Sequence, residues 1–215
     1  MRLYNYFRSS ASFRVRIALA LKQLPYDYQV VHLQKGEQHQ GEFAAHSADH
    51  LVPMLQLDDG THVLQSLAIC EYLDETHPTP PLLPADPMGR ARTRARPMAQ
   101  MVACDIHPIN NLRVLQYLTQ TLGVAEDAKN AWYAHWVTLG LEAFEQRLHE
   151  PATGAFCHGQ TPTLADVCLV PQIFNAQRFE VPLAGYPRMM KIFEACMALP
   201  AFASAQPSAC PEANA

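Results

Sequence analysis

The chain has 215 residues, 49% of them hydrophobic, enough for one large or two small domains with a sizeable core. A formal net charge of −4 and a pI near 6.2 leave no electrostatic footprint for nucleic acid or an anionic membrane. Six cysteines stand at 70, 104, 157, 168, 196 and 210 without C-x-x-C or zinc spacing, and no metal site is expected. The start, Met1-Arg2-Leu3-Tyr4-Asn5, lacks an apolar signal stretch, and no run is long enough to span a bilayer. A cytoplasmic protein with free thiols is expected.

Residues 2–7 alternate as a strand. A helix follows from about Ser9 to Lys22 and opens on Ser9, Ser10 and Ser12. Its first turn carries unpaired N–H groups and the positive end of the helix dipole, a place that favours an anion or a thiolate. No cysteine lies in the stretch, so a bound small thiol would have to bring the sulfur. The helix is apolar nearly all round, with Arg14, Ala18 and Lys22 marking one wet stripe. Arg16 points about 200° away from Arg14 and is expected to pair with a carboxylate, internally or at a subunit contact.

Tyr26 to Leu33 reads as a second strand and Glu37 to Ala45 as a weak polar helix. Met54–Leu57 and Thr61–Leu64 form a hairpin about Asp58-Asp59-Gly60. Ser66 fits as the N-cap of a helix from Leu67 to Thr76. The order β-α-β-α-β-β-α implies a parallel first pair and an antiparallel edge, a thioredoxin-like mixed sheet over residues 1–80. In such folds the proline at the place of Pro53 is cis, and Val52 before it offers a backbone edge to an extended peptide. His77 to Pro87, with five prolines, is a stiff linker. Residues 88–215 then read as all-helical. Met88 to about Leu122 is kinked or split at Pro97 and Pro108, and a helix covers Glu126–Glu150. Thr163-Leu164-Ala165-Asp166 opens a helix to Arg178, Tyr186-Pro187 starts another, and the tail from Ser204 is expected to be loose.

The stretch Ser9-Ser10-Ala11-Ser12-Phe13-Arg14-Val15-Arg16-Ile17-Ala18-Leu19 resembles the zeta-class signature S-S-C-x-x-R-V-R-I-A-L of the glutathione transferases. Gln65-Ser66-Leu67-Ala68-Ile69 matches the Q-S-x-A-I element, and Thr163–Asp166 the capping box of the helical domain. The resemblance covers nearly the whole chain. It implies glutathione as cofactor, a homodimer, and cis–trans isomerisation of a conjugated dicarboxylate. Maleylpyruvate is the expected substrate, because Cys104 to Arg113 looks most like the bacterial maleylpyruvate isomerases. Maleylacetoacetate is the alternative. Ala11 departs from the signature cysteine, which weakens readings that need a protein thiol and leaves an isomerase intact.

Such chemistry makes three demands. The thiol must be ionised, with Ser10 and Ser9 donating to the sulfur beside Ala11 and Ser12. The tripeptide must be held, by Val52 on its backbone and Ser66 with Gln65 on the γ-glutamyl carboxylate. Gln38 is a further glutathione contact, and by resemblance His107, Asn111 and Arg113 also reach the tripeptide. The dicarboxylate needs cations: Arg8 beside the hydroxyls, Arg178 at a helix end, and Arg113. Two rivals stand outside this reading. A general detoxifying transferase would need an apolar pocket, and a non-catalytic interaction protein would lack the hydroxyls or Gln65-Ser66.

Overall fold

The computed structural model describes residues 1–86 and 88–214, so Pro87 of the expected linker and Ala215 lie outside the described residues. The chain forms two compact units, Met1–Leu82 with Met197–Ala215, and Leu83–Cys196. No described helix is long and apolar enough to cross a membrane.

The first unit is built on a four-stranded sheet of order β2-β1-β3-β4: β1 (Arg2–Asn5), β2 (Asp27–Val30), β3 (Met54–Gln56) and β4 (His62–Leu64). β1 and β2 are parallel because α1 (Ser10–Leu21) crosses between them. β3 and β4 form the antiparallel hairpin, and Leu3 faces Leu55 across β1 and β3. The expected mixed sheet is therefore present. The weak polar helix breaks into a 3-10 turn (Glu37–His39) and a short α2 (Gly41–His46), with Gly36 and Gly41 at positive φ where the chain changes direction.

α1 has no wet stripe. Arg14, Ala18 and Lys22 are all buried, and every residue from Ser12 to Leu19 is inside. The sequence pattern misses this because the partners lie far along the chain: Arg14 Nη1 donates to the Ser66 hydroxyl, and only Lys22 meets a carboxylate. Lys22 Nζ donates to Asp74 Oδ1 at 2.9 Å and to the carbonyls of His77 and Pro80. Arg16 meets no carboxylate among the described residues. It donates to Asn5 Oδ1 (3.0 Å) and to the carbonyls of Tyr6, Phe7 and Ala205.

Ala205 belongs to a C-terminal segment that is ordered rather than loose. After α9 (Pro200–Ala203), Ala205 and Cys210 are buried in the first unit. Glu212 Oε1 accepts from Phe7 N at 2.9 Å and from the Tyr28 hydroxyl at 2.8 Å. The chain switch near residue 197 has no counterpart in composition or periodicity.

The second unit is helical. The expected long first helix begins only at α4 (Arg92–Gln100), runs on in wider turns to Ile106, and breaks at residues 107–111 before α5 (Leu112–Gln116). Pro108 cannot continue the hydrogen-bond ladder there, whereas Pro97 is absorbed inside α4. α6 (Glu126–Arg147), α7 (Leu164–Arg178) and α8 (Pro187–Met197) lie where expected. The Asp166 carboxylate takes Thr163 N (2.7 Å), Thr163 Oγ1 (2.8 Å) and, through its other oxygen, Cys157 N (2.8 Å). Arg94 ties the 147–157 region to α4, donating to Glu150, the Thr153 hydroxyl and the carbonyls of Arg147 and Cys157.

Burial, with the Arg94 charge beside it, pulls the His158 pKa below its ordinary 6.5. The folded state thus prefers neutral His158. Its stabilising effect is complete above about pH 6.5 and is lost as the pH falls through the folded value. Melting temperatures at pH 7.5 and 5.5 should therefore differ less in His158→Gln than in the parent. An equal difference in the two proteins would contradict this.

Candidate functional site

The hydroxyls that open α1 have separate duties. Ser9 is the N-cap, and its Oγ accepts from Ser12 N at 3.2 Å. Ser12 Oγ accepts from Tyr6 N at 3.4 Å and is fully buried, so it braces the strand-to-helix turn from inside. Ser10 is the first helical residue, 4% exposed, and stands in the field of the helix N-terminus. Ala11 follows it, so this turn has no sulfur of its own. Arg8, just before the turn, is exposed and lies over the Phe7 ring at 4.9 Å.

The cis Val52–Pro53 bond is present, and the N–H and C=O of Val52 make no hydrogen bond within the described chain. Such an edge can pair with an extended peptide. The N-cap of α3 (Ser66–Thr76) is Gln65, not Ser66 as expected. Gln65 holds φ at +69°, a costly conformation for a side-chain-bearing residue. That twist starts the helix one residue early and places Ser66 in its first turn. Gln65 Nε2 reaches Asp49 Oδ2 at 3.5 Å, and Ser66 Oγ accepts from Arg14 Nη1 at 3.2 Å. Gln38 presents its backbone carbonyl to His50 Nδ1 at 3.0 Å, while its buried side-chain oxygen has no partner among the described residues.

In the second unit His107 and Asn111 are brought together, Nε2 to Nδ2, at 3.4 Å. They are not successive turns of one helix. Asn111 caps α5, its Oδ1 accepting from Arg113 N at 3.2 Å. Arg113 is exposed in the first turn of α5. Arg178 ends α7, exposed, over the Phe179 ring at 4.8 Å, and Phe179 stacks on Tyr133 at 3.9 Å. A separate groove of about 370 Å³, lined by Met101, Cys104, Asp105, Trp136 and Leu139 among others, includes none of these four residues.

The family model for the glutathione S-transferase N-terminal domain matches residues 8–76. The maleylpyruvate isomerase of Ralstonia sp. is 50% identical over 99% of this chain and 99% of its own. The holo structure of a maleyl pyruvate isomerase, described as a bacterial glutathione S-transferase in zeta class, superposes with a TM-score of 0.94 at 48% identity, covering 99% of each chain. The chain belongs to the zeta-class glutathione transferases. A solved maleylacetoacetate isomerase from Methylobacterium extorquens AM1, with bound malonate and GSH, gives a TM-score of 0.95 at 40% identity over the full length of both chains.

The first unit of this zeta-class transferase fits a glutathione tripeptide. It offers an unpaired backbone edge at Val52, a hydroxyl at a helix N-terminus at Ser66, and a second hydroxyl at the start of α1. Among the described residues no cluster of side chains is suited to a metal ion. Sequence reasoning missed Arg14 as the partner of Ser66. The available signal was a pair of arginines in a helix too apolar to leave either one wet.

Proposed function

We propose that the protein is a glutathione-dependent cis–trans isomerase of a conjugated dicarboxylate, acting on maleylpyruvate, with maleylacetoacetate as the alternative. The observation that carries this reading is full-length similarity to isomerases of both names, joined to a thiolate-favouring turn that lacks a protein thiol. When bound, glutathione supplies a thiolate that adds to the alkene, leaves the bond single while it turns, and departs with the product trans.

Ser10, aided by Ser9, donates to the sulfur and keeps it ionised near neutral pH. Val52 and Ser66 hold the tripeptide with Gln65 and Gln38, and His107, Asn111 and Arg113 belong to the same reading. Arg8, Arg178 and Arg113 take the carboxylates of the substrate and the charge that develops on it. A homodimer in the cytoplasm is part of the proposal and rests on the resemblance.

The test is the change in absorbance of each cis diacid with and without glutathione. Turnover of maleylpyruvate that needs glutathione supports the reading, and turnover without it overturns the mechanism. Conjugation of aryl halides with no isomerisation would favour a general transferase instead. Arg178→Met is expected to raise KM for the diacid about tenfold or more with KM for glutathione unchanged, since a lost charge-assisted contact costs about 1.5–3 kcal/mol. An unchanged KM for the diacid would remove Arg178 from the site.

A further inference from the structure

α1 carries two buried arginines, and they are treated differently. Arg16 donates from Nε, Nη1 and Nη2, the pattern of a structural arginine. Arg14 is 1% exposed, yet only its Nη1 has a partner, Ser66 Oγ at 3.2 Å, while Nε and Nη2 find no acceptor among the described residues. Arg14 forms no ion pair with any described residue. A buried cation with neither a counter-charge nor acceptors for two of its nitrogens is costly, and an anion brought by another molecule offsets that cost. The Arg14 guanidinium sits behind the first residue of an eleven-residue helix, whose N-terminus itself favours an anion.

We infer that Arg14 is a positioning residue for the ligand carboxylate that docks at Ser66: it orients the Ser66 hydroxyl and supplies the buried positive charge behind it. This deepens the glutathione reading, on which it rests. A guanidinium donating to the Ser66 oxygen leaves the hydroxyl proton as the donor to the carboxylate. Two hydrogen bonds in series put the charges about 6 Å apart, an attraction worth on the order of a hundredfold in affinity at an effective dielectric near 20. Solvation at the mouth of the site trims this to roughly tenfold or more.

The experiment compares binding of two peptides by calorimetry, without substrate. One is glutathione. The other is 4-aminobutyryl-cysteinyl-glycine, which lacks only the α-carboxylate of the glutamyl residue. The parent protein is expected to prefer glutathione by at least about tenfold. In Arg14→Met the preference falls to about threefold or less, because glutathione weakens and the analogue does not. Arg14→Lys restores part of it. In turnover, Arg14→Met raises KM for glutathione and leaves kcat at saturating glutathione within about twofold. Equal weakening of both peptides, or an unchanged preference, would overturn the inference and make Arg14 purely structural. If Arg14→Met does not fold, Ser66→Ala decides: a preference that survives the loss of this hydroxyl overturns it equally. Failure of the parent to bind either peptide would instead defeat the glutathione reading itself.

Discussion

Ser10→Ala is expected to lower turnover at pH 7 by about a hundredfold or more, the usual cost of removing one preorganised donor from a developing or resident anion. The expectation follows from how the three hydroxyls are used. Ser12 is turned inward to Tyr6 N, and Ser9 caps the helix through Ser12 N, so Ser10 holds the buried place at the dipole end. No neighbouring thiol can take over, because residue 11 is alanine. The loss should shrink with rising pH. Without its donor the sulfur titrates nearer the free-thiol value of about 8.5, and the acid limb of the pH–rate profile moves upward. Rates measured between pH 6 and 9 check both points. A variant within about twofold of the parent at pH 7 would show that Ser10 is not the donor.

The largest expected effect on stability is at Asp166. Its carboxylate is fully buried and accepts from three N–H and O–H donors, Thr163 N, Thr163 Oγ1 and Cys157 N, with the Cys196 thiol a fourth at 4.0 Å. Asp166→Ala leaves three donors unpaired inside the second unit and uncaps α7, the helix that ends at Arg178. Loss of such a group costs about 3–5 kcal/mol. In a chain of this length that lowers the melting temperature by roughly 10 °C. Asp166→Asn keeps one acceptor oxygen and should fall between the two. Thermal unfolding of the three proteins measures the series, and a drop of less than about 2 °C for Asp166→Ala would show that water replaces the carboxylate.

Much of the fold was legible because it is written locally. The alternation of Arg2–Phe7, the turn at Asp58-Asp59-Gly60 and the capping residues Thr163 and Asp166 each signal their element within a few residues. The largest failures come from partners far along the chain. Arg14 and Lys22 looked wet because Ser66, Asp74 and the carbonyls of His77 and Pro80 lie more than forty residues away. Arg16 was assigned a carboxylate, but backbone carbonyls at the end of a strand serve it as well. The start of α3 was misplaced by one residue because nothing in a glutamine announces a positive φ. At the candidate site the motif singled out Ser10 and Ser66, and the structure adds Arg14 behind Ser66.

The C-terminal segment that closes on Phe7 sets an order of assembly. Glu212 follows Phe7 by 205 residues, and Ala205 follows Arg16 by 189. While the chain is being made, the turn carrying Arg8, Ser9 and Ser10 emerges well before two of the contacts that brace it, which wait for Ala205 and Glu212. A nascent chain can form the sheet early, but the turn that opens α1 acquires its full set of supports late. Translation products interrupted before residue 205 would carry every hydroxyl of the site and lack these supports.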